Sequence, residues 1–459
     1  MSSQNITGLP YSTAIKKLAI PAILTYTCQI IFEFIDAFWL GLLRNSEVFA
    51  AVGAASFITW ALYALINIVS GGVNSFVAQY AGAKDRKGYQ RIAMEGLVLS
   101  VFVGIIITVI MNYLYHPIFM RMGLTDSILE ATEEYFYFMN IYFVISFLFI
   151  TTGTIFNAHG DTRTTFWTNG ITILFNIVLA PLLILGYGFI PRMEVGGAAL
   201  STIIAQVLGI VIRIILLVKK DFLSSVFSMK DFSLKDSIEI MKVGMPVATG
   251  NFIFCMVFPF LTKFITMLGN IPALCALNIC HRVEGVAYFI CTGFAVSAAT
   301  MTGQYTGIKD MKKAVEAAWA NIFYVTCVLF PVSLIFIIYP HPFIAIMTDD
   351  KTVLFEGVKY MRIIGFCEIF LGFEIVFQGV FTGLGNTLPS TLIYIPLTVG
   401  RIPLAYFLAF KCDMGVEGIW WAISISAFLK GTFVTYLFSR GWWKRRSKED
   451  YLFSECSGH

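Results

Sequence analysis

Residues 79–85 read QYAGAKD, and residues 304–310, 225 positions later, read QYTGIKD. The offset recurs: KLAIPA at 17–22 answers to KVGMPV at 242–247, and FNAHGDT at 156–162 to FTGLGNT at 381–387. Three matches in order at one offset imply duplication of a structural unit. VGGAAL at 195–200 and VEGIWW at 416–421 still correspond, with the offset shortened by four residues.

The duplicated unit is apolar. Of 459 residues 58% are hydrophobic and 13% charged, against roughly 25% charged in a soluble domain, which excludes a soluble globular protein. A membrane-spanning helix uses about 20 residues, so the composition supplies roughly a dozen. Apolar runs between Gly, Pro and charge punctuation predict helices at about 17–42, 48–80, 92–115, 133–157, 165–190, 196–218, 240–268, 273–305, 316–340, 356–382, 390–410 and 415–439. Backbone polar groups find no water in hydrocarbon, so such runs are helices, and the alternation of a β-barrel is absent. The polar linker at about 219–240 divides them six and six, giving two expected domains, 1–228 and 229–459. An even number of helices per copy leaves both copies in the same orientation, the parallel-repeat architecture of transporters. The expected fold class is therefore an all-α integral membrane protein of two six-helix repeats.

The net charge of +4 is too small to suggest nucleic acid. The basic residues serve as topology markers. Lys16, Lys17, Lys84, Arg86, Lys87, Arg163, Lys219, Lys220, Lys309, Lys312, Lys313 and Lys444 fall in segments on one side, whereas the other side holds Arg44, Arg121, Arg192, Lys351 and Lys411. The asymmetry places both termini in the cytoplasm. The nine cysteines show no CxxC or Cys/His metal spacing and read as small core residues. The polar start lacks a small-residue cleavage site, so the first helix is expected to be retained.

At these motifs the sequence resembles the MATE family, the multidrug and toxic compound extrusion transporters. LAIP followed by FIDAFWLG, the AAVGAAS stretch, QYAGAKD and the turns before Asp161 and Asn386 carry the resemblance, which extends from about residue 15 to 440. It implies a V-shaped pair of six-helix lobes that exports lipophilic, often cationic, organic compounds by alternating access, in exchange for protons or sodium ions. It implies no enzyme activity and no organic cofactor. The implied partners are small organic substrates and membrane lipids, and a monomer is the default.

An ionisable group at membrane depth is a functional candidate. Asp36 lies about 25 to 30 Å along the first helix at 1.5 Å per residue, and it matches the aspartate with which the family's N-terminal lobe binds its coupling cation. Glu33 lies three residues earlier on the same helical face, able to share a proton or a cation with it or to face the cleft. Asn176 matches the family's asparagine opposite that aspartate. Four residues later, where many members carry a second aspartate, stands Ala180. Sodium prefers several oxygens and a proton needs one acceptor, so the loss favours proton coupling, Glu33 being the residue that would restore a sodium site. Thr202 either supplies a hydroxyl ligand or bonds back to its own helix. Pro21 is either a hinge, as in the family, or a helix-start proline.

The second half carries Lys263, His281, Arg282, Glu284, Arg362, Glu368, Glu374 and Arg401. At the 225 offset Asp36 and Glu33 map onto Leu261 and Phe258, so the halves are not equivalent. Glu368 and Glu374 flank position 371 by a turn each, which suggests one helical face and a coupling or gating role. Arg282 and Glu284 suggest an ion pair within the half. Tyr137, Met256 and Gln378 are proposed cavity residues, on the ground that soft and aromatic walls suit varied cationic ligands. A flippase for a lipid-linked saccharide is the alternative, kept open by the second-half cations. No HExxH, GxSxG or P-loop is present, so an enzyme or an ATP-driven pump is not expected.

Overall fold

The computed structural model describes residues 6–41, 46–121, 126–186, 192–224 and 232–442, apart from the side chains of 33–34, 36–38, 40–41, 46–52, 54, 56–57, 126–127 and 195. Among the described residues there is no strand. The helices are α1 (Tyr11–Gly41), α2 (Ser46–Leu65), α3 (Asn67–Gly82), α4 (Arg86–Arg121), α5 (Asp126–Ala158), α6 (Thr162–Leu185), α7 (Glu194–Lys219), α8 (Leu234–Met267), α9 (Ile271–Gly307), α10 (Met311–Ile338), α11 (His341–Ala345), α12 (Lys351–Gly365), α13 (Glu368–Gly383), α14 (Leu388–Tyr406) and α15 (Gly415–Ser439). Among the described residues eleven segments are long and apolar enough to cross a membrane, and α12 with α13, bent by 56°, makes a twelfth if the pair is one span. The expected twelve spans are therefore present, with two interruptions. One falls at Ile66 between α2 and α3. At the other, the Ser333 hydroxyl of α10 donates to the Gly365 carbonyl, and Cys367 N–H takes the tighter i−3 bond to Ile364 O at 2.7 Å. A Cβ at Gly365 would lie 2.8 Å from the Ile337 side chain, so α10 packs directly against the bend.

The repeat extends to backbone geometry. Lys84 and Lys309 both adopt the left-handed region, at φ 58° and 60°, and Gly160 and Gly385 do so at 82° and 71°. Each pair is 225 residues apart. After the first pair, Asp85 Oδ1 accepts from Gly88 N–H at 3.0 Å and Asp310 Oδ1 from Lys313 N–H at 3.1 Å, so the same aspartate restarts the helix in both copies.

The chain forms two compact units. One holds Ile20–Ala248 with the short turn at Ile6–Gly8, the other Leu9–Ala19 with the chain from Thr249 onward. The division thus falls inside α1 and α8, not in the linker at 228/229. Packing explains why the start of α8 belongs with the first unit. A Cβ on Gly72 of α3 would lie 2.1 Å from Ile240 O, and one on Gly244 of α8 2.1 Å from Ile68 O, so these helices touch backbone to backbone. Arg91 Nε lies 3.1 Å from Asp236 Oδ2. Glu95 Oε1 accepts from Ser233 N–H at 3.1 Å and from the Ser237 hydroxyl at 2.9 Å. In the second unit the repeat counterparts meet: Tyr11 donates to Glu316 Oε2 at 2.9 Å, and its ring stands edge-on to Tyr305 at 6.1 Å. Positions 11 and 236, like 91 and 316, are 225 apart. Pro21 and its counterpart Pro246 each lie within two residues of the point where α1 or α8 passes from one unit to the other.

At the turn after α5, His159 is buried, stacked on Phe222 at 3.9 Å and edge-on to Tyr89 at 4.7 Å, with Nδ1 2.8 Å from Ile155 O. Burial pushes its imidazole down to about 4. The unfolded chain therefore takes up a proton near pH 6.5 that the folded one refuses. Stability is full above pH 6.5 and declines as pH falls toward 4, by about 3 kcal/mol in all. His159→Phe is expected to flatten that part of a thermal-stability profile measured in detergent. Gly244→Val is expected to destabilise the protein by at least about 1–3 kcal/mol, read as an earlier loss of the monodisperse peak on heating.

Candidate functional site

In the first unit, α1, α5, α6 and α7 enclose a cavity of about 30 Å³ lined by Gln29, Phe32, Phe149, Asn169, Thr172, Ile173, Asn176, Thr202, Ala205 and Gln206. That is room for a water or a small cation. Asn176, 1% exposed, donates from Nδ2 to Ser201 Oγ at 3.3 Å and to Thr202 Oγ1 at 3.2 Å. Thr202 donates in turn to Ala198 O at 3.1 Å, so it bonds back to its helix and faces Asn176 at once. Among the described residues Asn176 Oδ1 is buried without a hydrogen-bond partner. Ala180, by contrast, packs with Ile184 and Ala198 against Trp39 and Tyr135, so the position of the family's second aspartate is filled by apolar contact.

Two polar features beside this cavity escaped the sequence reading. Tyr63 donates to Tyr142 at 2.6 Å and lies 3.3 Å from Ser146 Oγ, and the cavity residue Gln206 donates to the same Tyr142 hydroxyl. Arg213, 1% exposed, donates from Nε to Thr168 Oγ1 at 2.9 Å, from one terminal nitrogen to Phe149 O at 2.6 Å, and from the other to Asn169 Oδ1. Its guanidinium stands 3.9 Å over the Phe149 ring, and among the described residues it has no carboxylate partner. A lone arginine inside IVIRIILL was the available signal.

Asp36 and Glu33 belong to α1, but their side chains lie outside the described residues. Pro21 lies in an α1 that continues through it, with its carbonyl accepting from Thr25 Oγ1 at 2.8 Å. Tyr137 is 54% exposed on α5 and Met256 37% exposed on α8, whereas Gln378 is half-buried on α13 and its carbonyl accepts from Thr382 Oγ1 at 2.8 Å.

In the second unit the acids part company. Glu374 Oε1 lies 2.7 Å from Lys430 Nζ of α15, a buried ion pair that the sequence reading missed because Lys430 stands alone in an apolar helix. Glu368 is fully buried and neither carboxyl oxygen has a hydrogen-bond partner; its charged neighbour is Glu284. Six residues turn a helix by 600°, so the two acids cannot share a face as expected. Glu284 accepts from Tyr360 at 2.8 Å and meets His281 Nδ1 at 3.4 Å. The ring it meets is thus that of His281 at i−3, while Arg282 is exposed and two residues away on the helix.

The two sites are repeats of one another. At the 225 offset Gln29, Phe149, Asn169 and Asn176 correspond to Phe254, Glu374, Tyr394 and Arg401. At these positions neutral side chains in one unit are replaced by a charged cluster in the other.

The family model described as MatE matches residues 21–182 and 246–407, two segments separated by that same offset. The chain belongs to the MATE family. This MATE chain is 26% identical over 441 residues to the "Probable multidrug resistance protein NorM" of Thermotoga maritima, covering 94% of this chain and 93% of that one. It is 22% identical over 437 residues to the "Multidrug export protein MepA" of Staphylococcus aureus, covering 92% of each. Its fold matches the solved structure described as "Outward-facing conformation of a multidrug resistance MATE family transporter of the MOP superfamily" with a TM-score of 0.87, at 22% identity and over 97% of this chain and 98% of that one. It also matches, at TM-score 0.88 and 22% identity over 96% and 98%, a Pyrococcus furiosus transporter described by "reverse polarity of binding pocket". The MATE chain is accordingly a multi-pass membrane transporter with the two-lobe repeat.

Replacing Arg213 by Met removes three hydrogen bonds and strands buried acceptors on Phe149 and Asn169. The expected loss is about 2–4 kcal/mol, and Arg213→Lys is not expected to rescue it, because an ammonium lacks the planar fork that reaches all three partners. Thermal unfolding of both variants in detergent measures this.

Proposed function

We propose that the protein is a cation-coupled antiporter, driven by protons in preference to sodium, which exports lipophilic, often cationic, organic compounds by rocking between inward and outward openings. The observation that carries the reading is the first-unit cavity with the unpartnered Asn176 Oδ1 and Thr202 beside it. Gln29 and Phe32 of α1 line the same cavity, and Glu33 and Asp36 follow them at four residues each, one helical turn on. Asp36 is the group that binds the coupling cation, Asn176 and Thr202 orient it, and Glu33 supports it. The apolar packing around Ala180 speaks for the proton, since a sodium ion would lack an oxygen there. NorM and MepA, by their names, supply the substrate class. Pro21, beside the junction of the two units, is the hinge of α1. Glu368, Glu374 and Glu284 act in coupling or gating in the second unit, with Arg282 at its surface. Tyr137, Met256 and Gln378 face the substrate. The protein works as a monomer with both termini in the cytoplasm.

One proton falling through 100 mV and one pH unit supplies about 3.7 kcal/mol, enough for several-hundredfold export of a neutral solute. A flippase for a lipid-linked anionic saccharide is the second reading, favoured by the buried cations Arg213, Arg401 and Lys430.

The test uses purified protein in liposomes, with efflux of a fluorescent cationic dye under an imposed pH gradient or a separate sodium gradient. Export driven by pH is expected, falling at least about tenfold in Asp36→Asn. Sodium drive alone would overturn proton coupling, and no dye movement under either gradient would give the flippase precedence.

A further inference from the structure

Within the second unit, one ion pair and a second cation share an aromatic neighbour inside the span region. Lys430 and Glu374 side chains are 2% and 6% exposed and 2.7 Å apart. Lys430 Nζ also lies 4.6 Å from the Tyr394 ring centroid and 5.8 Å from that of Phe254. The guanidinium of Arg401, a residue 6% exposed, lies 5.7 Å from the same Phe254 ring. Neither Arg401 Nε nor Glu374 Oε2 has a hydrogen-bond partner. The groups around the pair come from several elements: Phe254 of α8, Cys291 of α9, and Tyr394 and Arg401 of α14 face it, with Cys255 and Tyr288 beside Tyr394 and His281 beside Arg401. On α12, Lys359 is engaged by Glu417 at 2.8 Å toward the start of α15. Among the described residues no second acid lies at ion-pair distance from Lys430 or Arg401.

Lys430, Arg401 and Glu374 together carry one net positive charge in a buried, aromatic-walled site. Arginine holds its proton under all working conditions, whereas a lysine ammonium can release one. The place matters as much as the charge. Phe254, Glu374, Tyr394 and Arg401 occupy the repeat positions of Gln29, Phe149, Asn169 and Asn176, which line the first-unit cavity.

We propose that Lys430 is the proton-exchanging group of the second unit, a lysine acting where the first unit uses a carboxylate. In the loaded form its ammonium is held by the Glu374 carboxylate. When water reaches the pair, one proton passes from Nζ to water, leaving a neutral amine and a Glu374 carboxylate whose charge is balanced by Arg401. Reloading takes one proton back onto Nζ. Glu374 and Arg401 are positioning residues: they fix the net charge that decides whether Lys430 keeps its proton.

This deepens the proton-driven antiport reading and rests on it, but its failure is separable. Lys430→Arg keeps the charge and the Glu374 partner yet cannot release a proton. Proton release is counted on unbuffered detergent-purified protein with an indicator dye between about pH 6 and 10, beside pH-driven dye export in liposomes. The expected result is one proton fewer than wild type, at least a tenfold loss of pH-driven export and a flattened pH profile, with thermal stability near wild type. A static ion pair would survive the change, so wild-type export and an unchanged proton count in Lys430→Arg would overturn the proposal. If the arginine variant fails to fold, the neutral pair Lys430→Met with Glu374→Gln gives the same readouts, and a wild-type pH profile there overturns it equally. Sodium-driven export by the wild type would sink the proton-antiport reading, while the proton count still reports on Lys430.

Discussion

In hydrocarbon a polar group has no water to fall back on, so each one must find its partner within the protein or remain there as a cost. The backbone meets this demand by being helical almost throughout. Where it departs, another group steps in: Ser333 takes the Gly365 carbonyl at the bend between α12 and α13. Side chains follow the same rule, and the exceptions are informative. Among the described residues Asn176 Oδ1, both oxygens of Glu368 and Arg401 Nε are buried without hydrogen-bond partners, and Asn176 and Arg401 stand at equivalent positions of the two repeats.

Duplication has preserved what the backbone requires and released what the chemistry requires. The left-handed turns at Lys84 and Lys309 and the capping aspartates at 85 and 310 persist because the chain needs the same turn twice. The interior has diverged completely, from Gln29 and Asn176 to Phe254 and Arg401. Two identical halves would offer one ion two equal places. Divergence makes the halves chemically distinct stations, neutral at these positions in one and charged in the other.

The same contrast explains what the sequence disclosed. Spans, turns and the repeat were legible because length, hydropathy and glycine placement are local constraints. Asn176 and Thr202 stood out one by one, through resemblance and through residue type, and the structure sets them 3.2 Å apart. Lys430 and Arg213 were not seen, because a single charge within an apolar run declares neither its depth nor its partner. Arg282 with Glu284 failed on helical geometry, since residues two apart point away from each other. The division into two units was legible but its boundaries were not: no polar stretch marks residues 19–20 or 248–249, where a continuous helix changes neighbours.

That change of neighbours has a consequence for biosynthesis. The first turns of α1 belong with Tyr305 and Glu316, which leave the ribosome about three hundred residues later. At roughly 5–20 residues per second the wait lasts on the order of 15 to 60 s. The first unit likewise stays open until the start of α8 arrives to cover Gly72. The first unit is therefore not complete when its own six helices have been made, and it closes only after the second copy begins to insert.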